Sequence, residues 1–197
     1  MNYFQTLPKL VVKEKQSAQI ITNLLARVNI ISDLFQDPLL FYTYDIKDSD
    51  TPEIIAHKYY GDVNRFWMVL FSNEIVDPQW DWPMSTKVFD SYINDKYSPI
   101  ELTQVHHYEK IITTTNLQNN MVKKEVITIS EDDYNSLLET SKNYTTITGD
   151  VNIQISKNVV DNYTYEYDLN ESKRTIKLIN KVYATRIETE FNKLMNS

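Results

Sequence analysis

Apolar positions along the chain change their period several times, and each change marks the boundary of a predicted element. From Ser17 to Phe35, Ile20, Ile21, Leu24, Leu25, Val28 and Ile31 recur at helical spacing, which predicts a helix that Asp37-Pro38 ends. Leu39 to Lys47 is aromatic and β-branched and predicts a strand. A helix start follows: Thr51 is the expected N-cap, Pro52 suits the first helical position because it has no N–H to leave unpaired, and Glu53 suits the positive helix end. Ile55, Ala56 and Tyr59 form its apolar face, and Gly61 supplies the left-handed residue that ends it. Asp62 is expected to cap a second helix over Val63 to Asn73. Its Phe66–Phe71 run, FWMVLF, has almost no polar face, so it should be covered on more than one side.

After Pro83, Val88, Phe89, Tyr92 and Ile93 mark the inner face of a third helix. The pattern then turns to strands: TQVHHYEKIITTT and MVKKEVITI read as a pair, followed by a capping box at Ser130 and Asp133 opening a helix over Glu131 to Ser141. Tyr163, Tyr165 and Tyr167 alternate with Thr164, Glu166 and Asp168 as in a half-buried strand, and LNES supplies a turn into KRTIKLIN. From Lys181 to Met195, Tyr183, Ile187, Phe191 and Leu194 form one stripe of an amphipathic helix. The expected fold class is α+β, divided into an N-terminal arm (1–38), a core with its following helix (39–98) and a strand-rich C-terminal part ending in a helix (99–197).

Composition narrows the chemistry. The 197 residues carry a net charge of −7 with no basic run, which argues against tracking a phosphate backbone; no nucleic-acid partner is expected. There is no cysteine, so thiolate chemistry and disulfides are excluded. No apolar stretch approaches the roughly 18 residues a spanning helix needs, and the opening residues lack a signal-peptide pattern, so neither membrane insertion nor export is expected. His106 and His107 are adjacent, and on a regular strand they would face opposite ways and could not chelate one ion. The acidic pairs Asp48/Asp50 and Asp132/Asp133 sit where helices start, where carboxylates are stabilising in any case. Phosphate-binding loops, nucleophile elbows and zinc-protease helices are missing, so no catalytic residue, metal or cofactor is assigned.

One of the two glycines and all three tryptophans fall between Tyr59 and Pro83. The residues Asp50, Thr51, Ile55, Ala56, Tyr60, Gly61, Asp62, Phe66, Asn73, Asp77 and Pro78, closed by Pro83, give this stretch a form that resembles the LysM module. The resemblance implies a β-α-α core. LysM modules commonly leave that position through a Gly-Gln pair and a last strand, where this chain has Met84-Ser85 and a predicted helix. Since that exit walls the glycan groove, carbohydrate binding is not expected. Together with Lys96-Tyr97, His106–Glu109 and NESKRTIKLI, the window looks like the LysM-containing baseplate wedge subunit of contractile-tailed bacteriophages. That likeness implies a structural protein of the virion tail, assembled in the host cytoplasm and bound to other baseplate wedge proteins in a six-fold hetero-oligomer. The alternative from another class is a peptidoglycan-binding LysM module.

Candidate interface residues follow from side-chain type. Trp80 and Trp82 lie between Pro78 and Pro83, and tryptophan is the residue most enriched at binding hot spots. Arg174 and Lys177 form a small cationic patch suited to acidic partner surfaces, and Phe191 belongs to the amphipathic tail helix. Trp67, on the apolar second helix, is expected in the core.

Overall fold

The computed structural model describes residues 7–14, 17–23, 39–147 and 149–195. Its first elements depart from the helix expected at Ser17: Lys9–Glu14 (β1) and Ser17–Thr22 (β2) pair as an antiparallel hairpin in the register Leu10↔Ile21 and Val11↔Ile20. The β-branched Ile20, Ile21 and Thr22 suit an extended backbone, and a complementary strand is near at hand, so pairing overrides the helical spacing. The rest of the expected helix, from Leu24 to Phe35, lies outside the described residues.

The chain continues through Phe41–Asp45 (β3), Pro52–Tyr60 (α1), a 3-10 turn at Val63–Arg65, Phe66–Phe71 (α2) and Pro78–Asp81 (α3). Thr86–Lys96 (α4), Pro99–Leu102 (α5), Val105–Asn116 (β4), Val122–Ile129 (β5), Glu131–Ser136 (α6), Thr140–Thr146 (β6), Gly149–Asp161 (β7) and Asn162–Ser172 (α7) follow. Thr175–Ile179 (β8) and Lys181–Met195 (α8) complete the described residues. Contacts divide the chain into two units: Met1–Thr86 with Glu171–Ser197, and Lys87–Asn170. The second is therefore inserted, in sequence, into the first.

In the first unit β3 pairs antiparallel with β8, from Phe41↔Ile179 to Asp45↔Thr175. Helices α1 and α2 connect out from β3 and pack with β8 on a common core of Ile55, Met68, Val69, Leu178 and Ile179. The helix ends match their sequence signals. Thr51 caps α1 by accepting from Ile54 N, Pro52 stands at its start, and Gly61 closes it at φ 74°. Asp62 caps the 3-10 turn, and only Phe66–Phe71 continues as α-helix, so the expected single helix is split. Tyr60 Oη donates to Ile179 O at 2.9 Å. Asn73 clamps β8 with its amide, donating to Lys177 O at 2.8 Å and accepting from Lys177 N at 2.8 Å. Trp67 is buried and lies 4.6 Å from the Phe191 ring of α8. The buried stripe of α8 is Ala184, Phe191 and Met195; Tyr183 and Leu194, expected inside, are exposed.

The second unit has the four-stranded antiparallel order β5-β4-β7-β6; the paired strand patterns predict the β4–β5 pair but neither β6 nor β7. Two expectations fail beside it. The alternating tyrosines lie on α7 and not on a strand, and LNES forms the last turn of the same helix. Tyr163 and Tyr167 are four residues apart, so a helix stacks their rings 6.2 Å from one another and sets both edge-on to Phe89 of α4. Asp161 starts the helix by accepting from Thr164 N at 2.7 Å. The capped helix at Ser130 forms but ends at Ser136, because Thr140 begins an edge strand against β7.

Two buried carboxylates tie these layers. Asp50 accepts from Tyr44 Oη at 2.7 Å, Lys47 N at 3.1 Å and Lys58 Nζ at 2.5 Å. Burial is the largest single influence and opposes its charge, but the three donors together hold its pKa below the ordinary aspartate value. The same bond pushes the Tyr44 hydroxyl up to about 12. Glu166, in the second unit, is held by Lys96 Nζ at 2.6 Å, Tyr97 Oη at 3.0 Å and Tyr92 Oη at 3.2 Å. Burial again resists and the donors again win, so its pKa is also lowered.

Gly61→Val should lower stability by about 1–2 kcal/mol in denaturant melts, since a side chain disfavours positive φ. Nothing lies within 4 Å of an added Cβ, so the effect is backbone strain alone and Gly61→Asn should recover most of it. Both carboxylates have folded pKa values below their unfolded ones, so their contribution is complete at neutral pH and is lost as pH falls from the ordinary carboxylate range through the lower folded values. Asp50→Asn and Glu166→Gln should lower stability at pH 7 and flatten the acid limb of the stability–pH curve. A variant curve parallel to wild type would contradict this.

Candidate subunit interface

The DPQWDWP segment folds as a short capped turn. Asp77 accepts from Gln79 N at 3.0 Å, and Asp81 reaches back to accept from Val76 N and Asp77 N at 3.3 and 3.0 Å. With Pro78 at the first helical position, little freedom is left to lose on binding. This frame treats its two tryptophans differently. Trp82 turns inward: its Nε1 donates to Asp50 O at 3.1 Å and its ring packs on the core cluster. Trp80 faces solvent with 59% of its surface exposed, next to Val76 at 77%.

Beside Trp80 runs a groove of about 360 Å³ lined by Asn73, Glu74, Ile75, Asp81, Lys173, Thr175 and Ile176. Lys173 Nζ donates to Trp80 O at 2.6 Å and links the turn to the strand that forms the other wall. Glu74 sits at φ 55°, a left-handed conformation that is uncommon outside glycine. It ends α2, and Ile75 N returns to Leu70 O at 3.0 Å across it. Sequence reasoning missed this groove because Glu74 and Lys173 are far apart in the chain and carry no motif; only the return of β8 brings them together.

The remaining candidates do not join Trp80. Arg174 is spent inside the unit, donating to Glu171 Oε1 at 2.6 Å and Met84 O at 3.3 Å, with Asp48 at 3.6 Å. It fixes the loop between β3 and α1 and is not presented to an acidic partner. Phe191, expected at an interface, is 4% exposed and lies in the core between Trp67 and Phe71. Lys177 is exposed on β8, its ammonium 5.9 Å from the Phe41 ring centre.

The acidic pairs have structural partners. Asp48 accepts from Thr86 N and Oγ1 at 2.7 and 3.1 Å, and Asp133 bonds Ser130 Oγ at 2.8 Å. The two histidines depart from the expected geometry. The β4–β7 register shifts between Val105 and His107, and this irregularity breaks the alternation. As a result His106 Nδ1 and His107 Nδ1 meet at 2.8 Å, with His106 stacked 3.8 Å from Tyr165 and His107 Nε2 3.3 Å from Glu109 Oε1. Among the described residues no group of three or more His, Cys, Asp or Glu could hold a metal ion, and no helix is long and apolar enough to cross a membrane.

Comparison with curated proteins finds no match. A family model does match, over residues 9–196, nearly the whole chain, and its description is base plate wedge protein 53. That span covers the Trp80 turn, the groove and both units alike. The chain belongs to the phage base plate wedge protein 53 family.

Proposed function

We propose that this chain is a structural component of a contractile phage tail, binding neighbouring wedge subunits and helping to join wedges into the hexagonal baseplate. The observation that carries the reading is the solvent-facing Trp80 on a proline-stiffened, doubly capped turn beside a charged groove. A large aromatic fixed before binding contributes desolvated area at low ordering cost, as a hot spot requires. Six-fold repetition multiplies such contacts, so that modest single affinities add up to a stable ring. Glu74 adds a second indication: a strained backbone residue lining the groove is a feature that folding alone does not favour.

The β3-α1-α2-β8 order supports a LysM-like core whose last strand is Thr175–Ile179, although the exit after Pro83 is a helix. That returning strand favours the second reading, a peptidoglycan-binding module, because it rebuilds a groove wall. The lining weighs against it. Glu74, Asp81 and Lys173 suit charged partner side chains better than a neutral N-acetylated sugar. Calorimetry with short N-acetylglucosamine oligomers should therefore show no saturable binding. A stoichiometric micromolar isotherm would place the glycan reading first.

Trp80→Ala should leave monomer melting unchanged while lowering incorporation into tails. Loss of a hot-spot tryptophan costs about 2 kcal/mol, roughly thirtyfold per contact. Trp82→Ala should instead lower stability by about 2 kcal/mol, since it removes core packing and the bond to Asp50. Reduced melting of the Trp80 variant, with assembly rescued in the cold, would sink the interface assignment. Glu74→Gly should raise stability by up to about 1 kcal/mol by relieving positive φ.

A further inference from the structure

The sheet of the second unit has two unlike faces. Cross-strand register puts Tyr108, Ile112, Ile127, Ile129, Ile153 and Ile155 on one of them. The other is mostly polar: beside Ile111, Val122 and Val126 it carries Thr113, Thr128, Asn143, Asn152 and Gln154, knitted by bonds such as Asn152 Nδ2 to Asn143 Oδ1 at 2.7 Å. A sheet with one apolar face needs a second layer. Helix α6 supplies it at one end only, where Tyr134 packs 4.8 Å from Tyr108 and Lys157 Nζ donates to Tyr134 O at 3.0 Å. Even so, Ile127 near that end and Tyr144 at the opposite one remain 45% and 48% exposed, and Ile112, Ile153 and Ile155 are only half-buried.

The charges on that face are one-sided. Along its strands Lys110, Lys123, Lys142 and Lys157 stand against one carboxylate, Glu125, with Glu131 of α6 meeting Tyr108 at the covered end, in a chain whose net charge is −7. Glu125 is paired with Lys123 at 2.6 Å, and Lys157 is engaged with Tyr134. Lys110 and Lys142 make no ion pair among the described residues. Apolar side chains framed by uncompensated ammonium groups call for a partner with the complementary order: an apolar ridge flanked by carboxylates.

We propose that the apolar face of the β5-β4-β7-β6 sheet is a second docking surface, occupied in the baseplate by an acidic, amphipathic segment of a different wedge subunit. A second copy of this chain would have to present its own apolar face, which carries the same lysines, and like charges oppose that pairing. The proposal rests on the reading that the chain is assembled among neighbouring wedge subunits.

The test places the photo-cross-linking residue p-benzoylphenylalanine at Ile127 or Tyr144 on the apolar face, and at Thr128 or Asn143 on the polar one. Each variant is irradiated within assembled tails, and the products are mapped by mass spectrometry. Positions 127 and 144 should cross-link to an Asp/Glu-bearing segment of another baseplate protein with at least tenfold higher yield than 128 and 143. Lys110→Glu combined with Lys142→Glu should lower incorporation at least tenfold with unchanged monomer melting. Tails that contain the chain but give no product at 127 and 144, equal yields from both faces, or products only within the chain or to another copy of it would overturn the proposal. Tails that lack the chain would overturn the baseplate reading itself, and this proposal with it.

Discussion

The pairing of β3 with β8 is the constraint on which the first unit depends. Five residues on each side meet across 130 positions of sequence, from Asp45 to Thr175. Alone, so short a pair would be marginal. It holds because β8 is gripped from both sides: by β3 along one edge, and by the Asn73 amide and the Ser72 hydroxyl on Lys177. Leu178 and Ile179 then close the core against α1 and α2, with no solvent exposure. The Trp80 turn and its groove inherit this geometry, since Lys173 and Thr175 reach them only when β8 is in place.

Charge is distributed according to the same economy. The deepest carboxylates, Asp50 and Glu166, are each surrounded by three donors and serve as internal fasteners. Arg65 likewise makes a two-pronged contact with Glu188, binding the 3-10 turn to the tail helix. What remains outside these networks is an exposed aromatic turn on one unit and a largely apolar, lysine-bearing sheet face on the other. That division suits a structural protein of the base plate, because the contacts stabilising each unit are separate from these exposed surfaces.

Sequence reasoning succeeded where local chemistry decides structure. Thr51, Gly61, Asp62 and Ser130 sit at the ends they were expected to mark, because a cap or a left-handed residue acts within one turn. It failed where two periods fit the same residues. Tyr163, Tyr165 and Tyr167 satisfy a two-residue alternation, yet Tyr163 and Tyr167 also satisfy the four-residue step that Phe89 rewards with two edge contacts. For Ser17–Thr22 the decisive fact was the adjacent strand, Lys9–Glu14. The roles of the two tryptophans were not separable in advance either. Both sit in one proline-bounded segment, and only the position of the Asp50 carbonyl turns Trp82 inward.

The interrupted first unit also sets a timetable. Chains emerge from the ribosome at about 5–20 residues per second, so β8 follows β3 by on the order of ten seconds. Through that interval Ile55, Met68 and Val69 lack β8, whose Leu178 and Ile179 complete their core. The Lys87–Asn170 stretch is continuous and can complete its own contacts while the tail is still being made. The layout thus lets the middle of the chain settle while its beginning still waits for β8. Any stall or premature stop within that middle releases a chain whose first helices carry a bare apolar surface, which chaperones and proteases recognise. Only molecules translated through Ile179 carry the strand that covers it.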